Sequence, residues 1–169
     1  MLQQLNHPNL VRIVELCEDK NYIYEVAELV KHGDLMQVIE KEFNANRGLD
    51  EAQVGRWILQ ILEGLNYLHT KRVMHRDLKL ENIMMDLTNA NGGKGELVCK
   101  ITDFGFARTI SDNLENDIEI GTPIAMAPEL VRRKHHDNRV DVWALGVLTT
   151  ELIFGHEPFN GSSKEEIYD

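Results

Sequence analysis

Cysteine is scarce in this chain. Cys17 and Cys99 are the only two among 169 residues. They lie far apart and in no metal-ligand spacing, which excludes a disulfide-framed fold and leaves two reduced thiols expected in or near the core. Positive charge is also short. Eighteen Lys and Arg against 28 Asp and Glu give a formal charge of -10, which opposes nonspecific binding to nucleic acid or to an anionic membrane. No apolar run is long enough to span a bilayer. The first residues lack the basic-then-apolar order of a signal peptide, so an intracellular, cytoplasmic protein is expected. There is no internal repeat, and the one low-complexity patch, Asn89-Ala90-Asn91-Gly92-Gly93-Lys94-Gly95, reads as a flexible loop. What remains is a hydrophobic content of 43%, enough for one globular domain with a core.

The pattern of elements is mixed. Residues 1–6 read as a helix that stops at His7-Pro8, because proline disfavours helix at the residue before it. Leu10 to Leu16 and Tyr22 to Val30 are rich in β-branched and aromatic residues around the polar turn Glu18-Asp19-Lys20-Asn21, which predicts an antiparallel hairpin. A short helix is expected from Gly33 to about Asn46, with Leu35, Met36, Ile39 and Phe43 as its apolar stripe. Asp50 then looks like the N-cap of a longer helix whose apolar face runs Val54, Trp57, Ile58, Ile61, Leu62, Leu65, Leu68. His69 near its end reads as structural. Ile83–Met85 and Val98–Thr102 are two short strands around the Gly/Asn loop. From Asn138 to Phe154 the sequence is apolar nearly all round, the pattern of a buried helix.

Three short motifs punctuate these elements: His75-Arg76-Asp77-Leu78-Lys79-Leu80-Glu81-Asn82, then Asp103-Phe104-Gly105, then Ala127-Pro128-Glu129. Singly, each has an ordinary reading: loop acids, a turn asparagine, one surface lysine among many. In this order and at these separations, around two strands and an apolar helix, the chain resembles the eukaryotic protein kinase family over nearly all its length. Lys79, two residues after Asp77, is similar to the serine/threonine branch, and the Leu-Lys-Leu-Glu-Asn run to calcium/calmodulin-dependent-type kinases. The resemblance implies an α+β protein-kinase-like fold, mostly the helical large lobe with a remnant of the small β lobe.

It also implies a chemistry. Asp77 would be the catalytic base and Lys79 a cation at the γ-phosphate of ATP. Asn82 and Asp103 would hold Mg²⁺, a hard cation that takes oxygen ligands. Glu28 to Val30 would be the hinge that meets adenine, after a gatekeeper at Ala27; Met84 would lie beneath the ring, and Glu81, counted with the cofactor-binding residues, in some relatives contacts basic residues of the peptide substrate. Asp141 would bond to the backbone at His75 and Arg76, Thr122 would touch Asp77 and Lys79, and His75, Phe104, Leu2 and Ile13 would stack between the lobes. Arg76 would meet an anion on the activation segment. The usual phosphosite there is replaced by Asp117, Ile118 and Glu119, so Asp117 or Glu119 is expected to serve, with Thr109 and Ser111 as remaining phosphosites. The partner implied is a protein substrate with a Ser or Thr hydroxyl, alongside a possible regulator and neither nucleic acid nor membrane.

The family pattern runs off both ends. No Gly-rich phosphate loop precedes His75, no Val-Ala-Ile-Lys-like strand occurs, and the helix-C glutamate would fall before Met1. The arginine that would pair with Glu129 is missing as well. Residues 1–169 therefore read as a partial kinase domain, 1–32 a remnant of the small lobe and hinge and 33–169 an incomplete large lobe. Its alternative reading is a catalytically inactive interaction module.

Overall fold

The computed structural model describes residues 2–44, 49–87, 95–110 and 121–168. The chain opens on a 3-10 turn, Leu2–Gln4, where a helix tail was expected. Strands β1 (Ile13–Glu18) and β2 (Ile23–Ala27) then form a two-stranded antiparallel sheet with Leu16 opposite Glu25 and Cys17 opposite Tyr24. Asp19 closes their turn, its Oδ1 accepting from the N–H groups of Asn21 and Tyr22 at 2.8 Å, the local pairing that makes aspartate a turn residue. Leu2 packs against the core and Ile13 is buried. Most of the hairpin beyond Ile13 has no second layer among the described residues, so Val26 and Leu29 are exposed. Cys17 is exposed for the same reason, against the expectation of a core thiol; Cys99 is buried.

Two helices follow. In α1 (Leu35–Asn44), Leu35 and Ile39 are buried and Met36 and Phe43 partly so. Asp50 caps α2 (Glu51–Thr70) by accepting from Gln53 N–H at 3.0 Å, satisfying one of the orphan donors of the first turn. The face of α2 made by Val54, Trp57, Ile61, Leu65 and Leu68 is buried. Its apolar spacing of three and four residues lays that stripe against strand and helix at once. At Gly64 a Cβ would stand 2.9 Å from the Asn9 carbonyl oxygen and 3.0 Å from Ile101 Cδ1, so the missing side chain sets how closely α2 approaches the segment behind it.

Beyond α2 the chain makes β3 (Val73–Met74), β4 (Ile83–Leu87) and β5 (Leu97–Ile101), the last two paired antiparallel with Ile83 opposite Ile101. A short β6 (Arg108–Thr109) returns to pair with β3. The first hairpin is anchored here, through Val11 N–H on the Ile101 carbonyl at 2.8 Å and Lys100 Nζ on Glu28 Oε1 at 2.8 Å. Then come α3 (Pro128–Val131), α4 (Arg139–Phe154) and α5 (Lys164–Tyr168). Helix α4 is only half covered. Val140, Leu145, Leu148 and Leu152 are buried, but Val142, Ile153 and Phe154 are exposed. The all-round burial its sequence predicts is absent because no described element packs on that second side. Gly155, at φ 72°, ends the helix in the left-handed region.

Candidate functional site

The segment carrying His75, Arg76 and Asp77 is hung from the first turn of α4. Asp141, fully buried, accepts the His75 N–H at 3.0 Å and the Arg76 N–H at 2.8 Å, one on each carboxylate oxygen. The His69 ring nitrogen Nε2 lies 2.8 Å from the same carboxylate, so the histidine read as structural holds the end of α2 to this point. Arg76 takes a positive φ of 69°, and its Nε donates to the Phe106 carbonyl at 2.9 Å. His75 packs edge-on against Phe104 at 5.5 Å. Its Nδ1 accepts the Asp77 N–H at 3.3 Å and its Nε2 faces the Thr102 carbonyl at 2.9 Å. An acceptor at Nδ1 and a carbonyl at Nε2 together select the neutral Nε2–H tautomer. Helix, strand and loop are thereby locked in one register.

Asp77 is 4% exposed, yet its carboxylate is not starved of partners. Oδ1 accepts from the Thr122 N–H and hydroxyl, both at 2.9 Å. Oδ2 lies 3.2 Å from Asn82 Nδ2 and 3.4 Å from Lys79 Nζ, and Lys79 also donates to Thr122 Oγ1 at 3.1 Å. A buried charge is tolerated when it is paired and hydrogen-bonded, and Asp77 is both. Gly121, at φ 110°, brings the chain in beside it; a Cβ there would fall 2.7 Å from the Arg76 carbonyl oxygen. The contacts of Thr122 and Asp141 thus match the arrangement that the motifs imply.

Asn82 is buried and gives its amide N–H to the Asp77 carbonyl at 2.8 Å as well, which turns Oδ1 into its outward acceptor. Asp103 is exposed with φ 61°, its Oδ1 held by the Gly105 N–H at 3.2 Å. Their oxygens are of the hard kind that suits Mg²⁺. Among the described residues no three His, Cys, Asp or Glu side chains converge as a metal cluster. On the other side, Glu28 is tied down: its carboxylate meets Lys100 and the Arg12 N–H. Burial pushes that carboxyl up, and these partners outweigh it to hold it below its usual range. Its backbone N–H goes to the Arg12 carbonyl at 2.9 Å, so the Glu28 carbonyl is what is left for a ligand. The segment after Val30 is stitched to β4, His32 N–H to the Met85 carbonyl at 3.1 Å and Met85 N–H to the Gly33 carbonyl at 2.8 Å, which brings the half-buried Met84 beside it. Glu25 was not foreseen here; burial and then the nearby Asp103 raise its carboxyl.

Glu81 is exposed, in the 3-10 turn Leu80–Asn82. It lines a small cleft beside Lys79 and Thr122 together with Met36, Glu151 and Glu157. Burial, then Glu157, then Glu81 push the Glu151 carboxyl up to about 7. Sequence reasoning missed Glu151 and Glu157, although one sits at the end of an apolar helix run, where an acid is out of pattern. Glu129 is half-buried; the Arg139 guanidinium is paired with Asp137 and feels the Glu129 charge only as its smallest influence. Thr109 is half-buried in β6. Asp117, Ile118, Glu119 and Ser111, and the loop 88–94, lie outside the described residues.

No helix among the described residues is long and apolar enough to cross a membrane. A family profile for the protein kinase domain matches residues 1–169. The chain is 36% identical over 168 residues to calcium-dependent protein kinase 5 of Plasmodium falciparum, covering 99% of this chain and 28% of that protein. It is 37% identical over 166 residues to death-associated protein kinase 2 of Mus musculus, covering 98% and 43%. With the serine/threonine-protein kinase plk-2 of Caenorhabditis elegans the identity is 35% over 166 residues, covering 98% and 24%. The chain therefore spans less than half the length of these relatives. The order of its three motifs, the hanging of the loop on Asp141 and the match along the whole chain agree: it belongs to the protein kinase domain family.

Proposed function

We propose that this chain is the catalytic portion of a serine/threonine protein kinase, with residues 1–32 as part of a small lobe and hinge and 33–169 as part of the large lobe. The observation that carries the reading is the Asp77 carboxylate, buried yet held by Thr122, Lys79 and Asn82. A substrate hydroxyl placed at Asp77 gives it the proton as the oxygen bonds to the γ-phosphorus of ATP; the bond to the β-phosphate oxygen breaks and ADP leaves. Positioning and charge stabilisation supply most of the rate in such a transfer. Lys79 stands beside Asp77 and meets the charge of the moving group. Glu28 and Val30 offer backbone to adenine, Met84 its underside, and Glu81 the edge of the cleft. Mg²⁺ held by Asn82 and Asp103 would supply the neutralising charge for the phosphates.

The second reading is a kinase-like interaction module that keeps the fold without the transfer. A thermal-shift titration with Mg²⁺ and ATP separates the two. The catalytic reading expects a shift with the native chain and none with Asp103→Ala. A folded native chain that ATP fails to stabilise sinks it, and transfer of labelled phosphate to a Ser/Thr peptide that persists in Asp77→Asn removes the role of Asp77.

A further inference from the structure

We propose that Asn160 is a site of spontaneous deamidation, and that its conversion to isoaspartate loosens helix α5. Of the asparagines in the sequence only Asn91 and Asn160 precede a glycine, and Asn91 lies outside the described residues. Asn160 and Gly161 are exposed, in irregular chain between α4 and α5. Among the described residues nothing hydrogen-bonds to the Asn160 side chain or to the Gly161 N–H. Other asparagine amides are held: Asn82 gives its N–H to the Asp77 carbonyl, and Asn9 donates to the Cys99 carbonyl at 3.0 Å. Glycine has no Cβ to shield its own nitrogen. The backbone nitrogen that follows Asn160 is therefore open, unbonded and in contact with water.

The step needs only water. Gly161 N, its proton passed to hydroxide, bonds to Asn160 Cγ. The Cγ–Nδ2 bond breaks, and Nδ2 leaves as ammonia with a proton from solvent. A succinimide ring has closed, and water opens it at either carbonyl. Attack at Cγ leaves aspartate. Attack at the backbone carbonyl carbon leaves isoaspartate, in which the chain runs through Cβ and Cγ. Nothing is oxidised or reduced; an amide and water become a carboxylate and ammonia. The consequence falls on α5. Gly161 lies hard against it, since a Cβ there would stand 2.8 Å from both Ile167 Cγ1 and Ile167 N and 2.9 Å from Glu166 Cβ. The start of α5 is tied by Ser162 N–H on Glu166 Oε2 at 2.6 Å and Glu166 N–H on Ser163 Oγ at 3.3 Å, an arrangement close to a capping box. Its far end reaches Met126, whose Sδ accepts from the Tyr168 hydroxyl at 3.2 Å. Isoaspartate lengthens the backbone by a methylene, for which the fit against Ile167 has no room. It also adds a carboxylate ahead of Glu165 and Glu166, where like charges repel.

The full 169-residue chain is aged at neutral pH, sampled over time, digested with trypsin and read by mass spectrometry against a fresh sample. Cleavage after Lys94 and after Lys164 puts the two Asn-Gly pairs in different peptides. The Asn160 peptide is expected to gain about one dalton and to split into two isomers of equal mass. Its rate should lie within about tenfold of that of a free peptide of the same sequence, because an unbonded exposed segment opens at almost no cost. The rate should rise with pH, since hydroxide takes the Gly161 proton. Asn160→Gln, whose longer side chain closes the ring poorly, should show no gain. Hydrogen exchange at the Glu166 and Ile167 amides should be about tenfold faster in the aged native chain and unchanged in the aged Asn160→Gln chain. Neither readout depends on phosphate transfer, so an inactive kinase leaves both outcomes intact. A rate more than about a hundredfold below that of the free peptide overturns the inference, because the fold then protects Asn160. So does an equal mass gain in Asn160→Gln, or exchange at α5 that is the same before and after conversion.

Discussion

Replacing Asp141 by alanine tests how the candidate site is held. The carboxylate is fully buried and accepts two backbone N–H groups, with His69 against it. Truncation removes no large apolar contact, so the cost comes from donors left behind. An orphaned buried donor costs about 1–3 kcal/mol, and three of them, partly relieved by water entering the gap, give about 3–5 kcal/mol. For a chain of this size that lowers the midpoint of thermal unfolding by about 10 °C. Asp141→Asn keeps one acceptor oxygen and costs less, about 1–2 kcal/mol. Urea unfolding followed by far-UV circular dichroism supplies the free energies, with the slope m checked for constancy. An alanine variant within about 0.5 kcal/mol of the native chain would refute the reasoning, because the loop would then be positioned by its neighbours without the helix.

Two further outcomes follow from single groups. Glu151, pushed up to about 7, binds a proton in the folded chain over a pH range where the unfolded carboxyl has lost it. Its contribution is present below the ordinary glutamate value and is lost as pH rises through about 7. Stability measured from pH 5 upward should decline, and Glu151→Gln should flatten that decline; an unchanged slope would show that other groups are responsible. Gly64→Ala should destabilise by about 1–2 kcal/mol in equilibrium unfolding, because overpacking against the Asn9 carbonyl exceeds the gain in helix propensity. A more stable variant would mean that the strand behind α2 yields.

Much of the fold was legible because its signals are local. Asp50 announced α2, the period of Val54, Trp57 and Ile61 announced its buried face, and Asp19 with its neighbours announced the first turn. The site was legible in its residues because the motifs carry the chemistry in order. What was illegible depends on which surfaces meet. Nothing in the spelling of α4 says that Val142 and Phe154 lack a cover, and the alternation of β1 gives no hint that Cys17 faces outward. Glu151 and Glu157 are 70 and more residues from Glu81 in sequence, and only the folded chain puts them in one cleft.

The hairpin of β1 and β2 has only two strands among the described residues, so each presents an outer row of backbone donors and acceptors with no neighbour. Such rows recognise one another without regard to side-chain identity. The glutamates and lysine around the turn weaken that recognition without abolishing it, while Val14, Leu16, Ile23 and Tyr24 reward it. Light scattering of the 169-residue chain across a concentration series reads this out: association that grows with concentration is the expected outcome of an open strand edge.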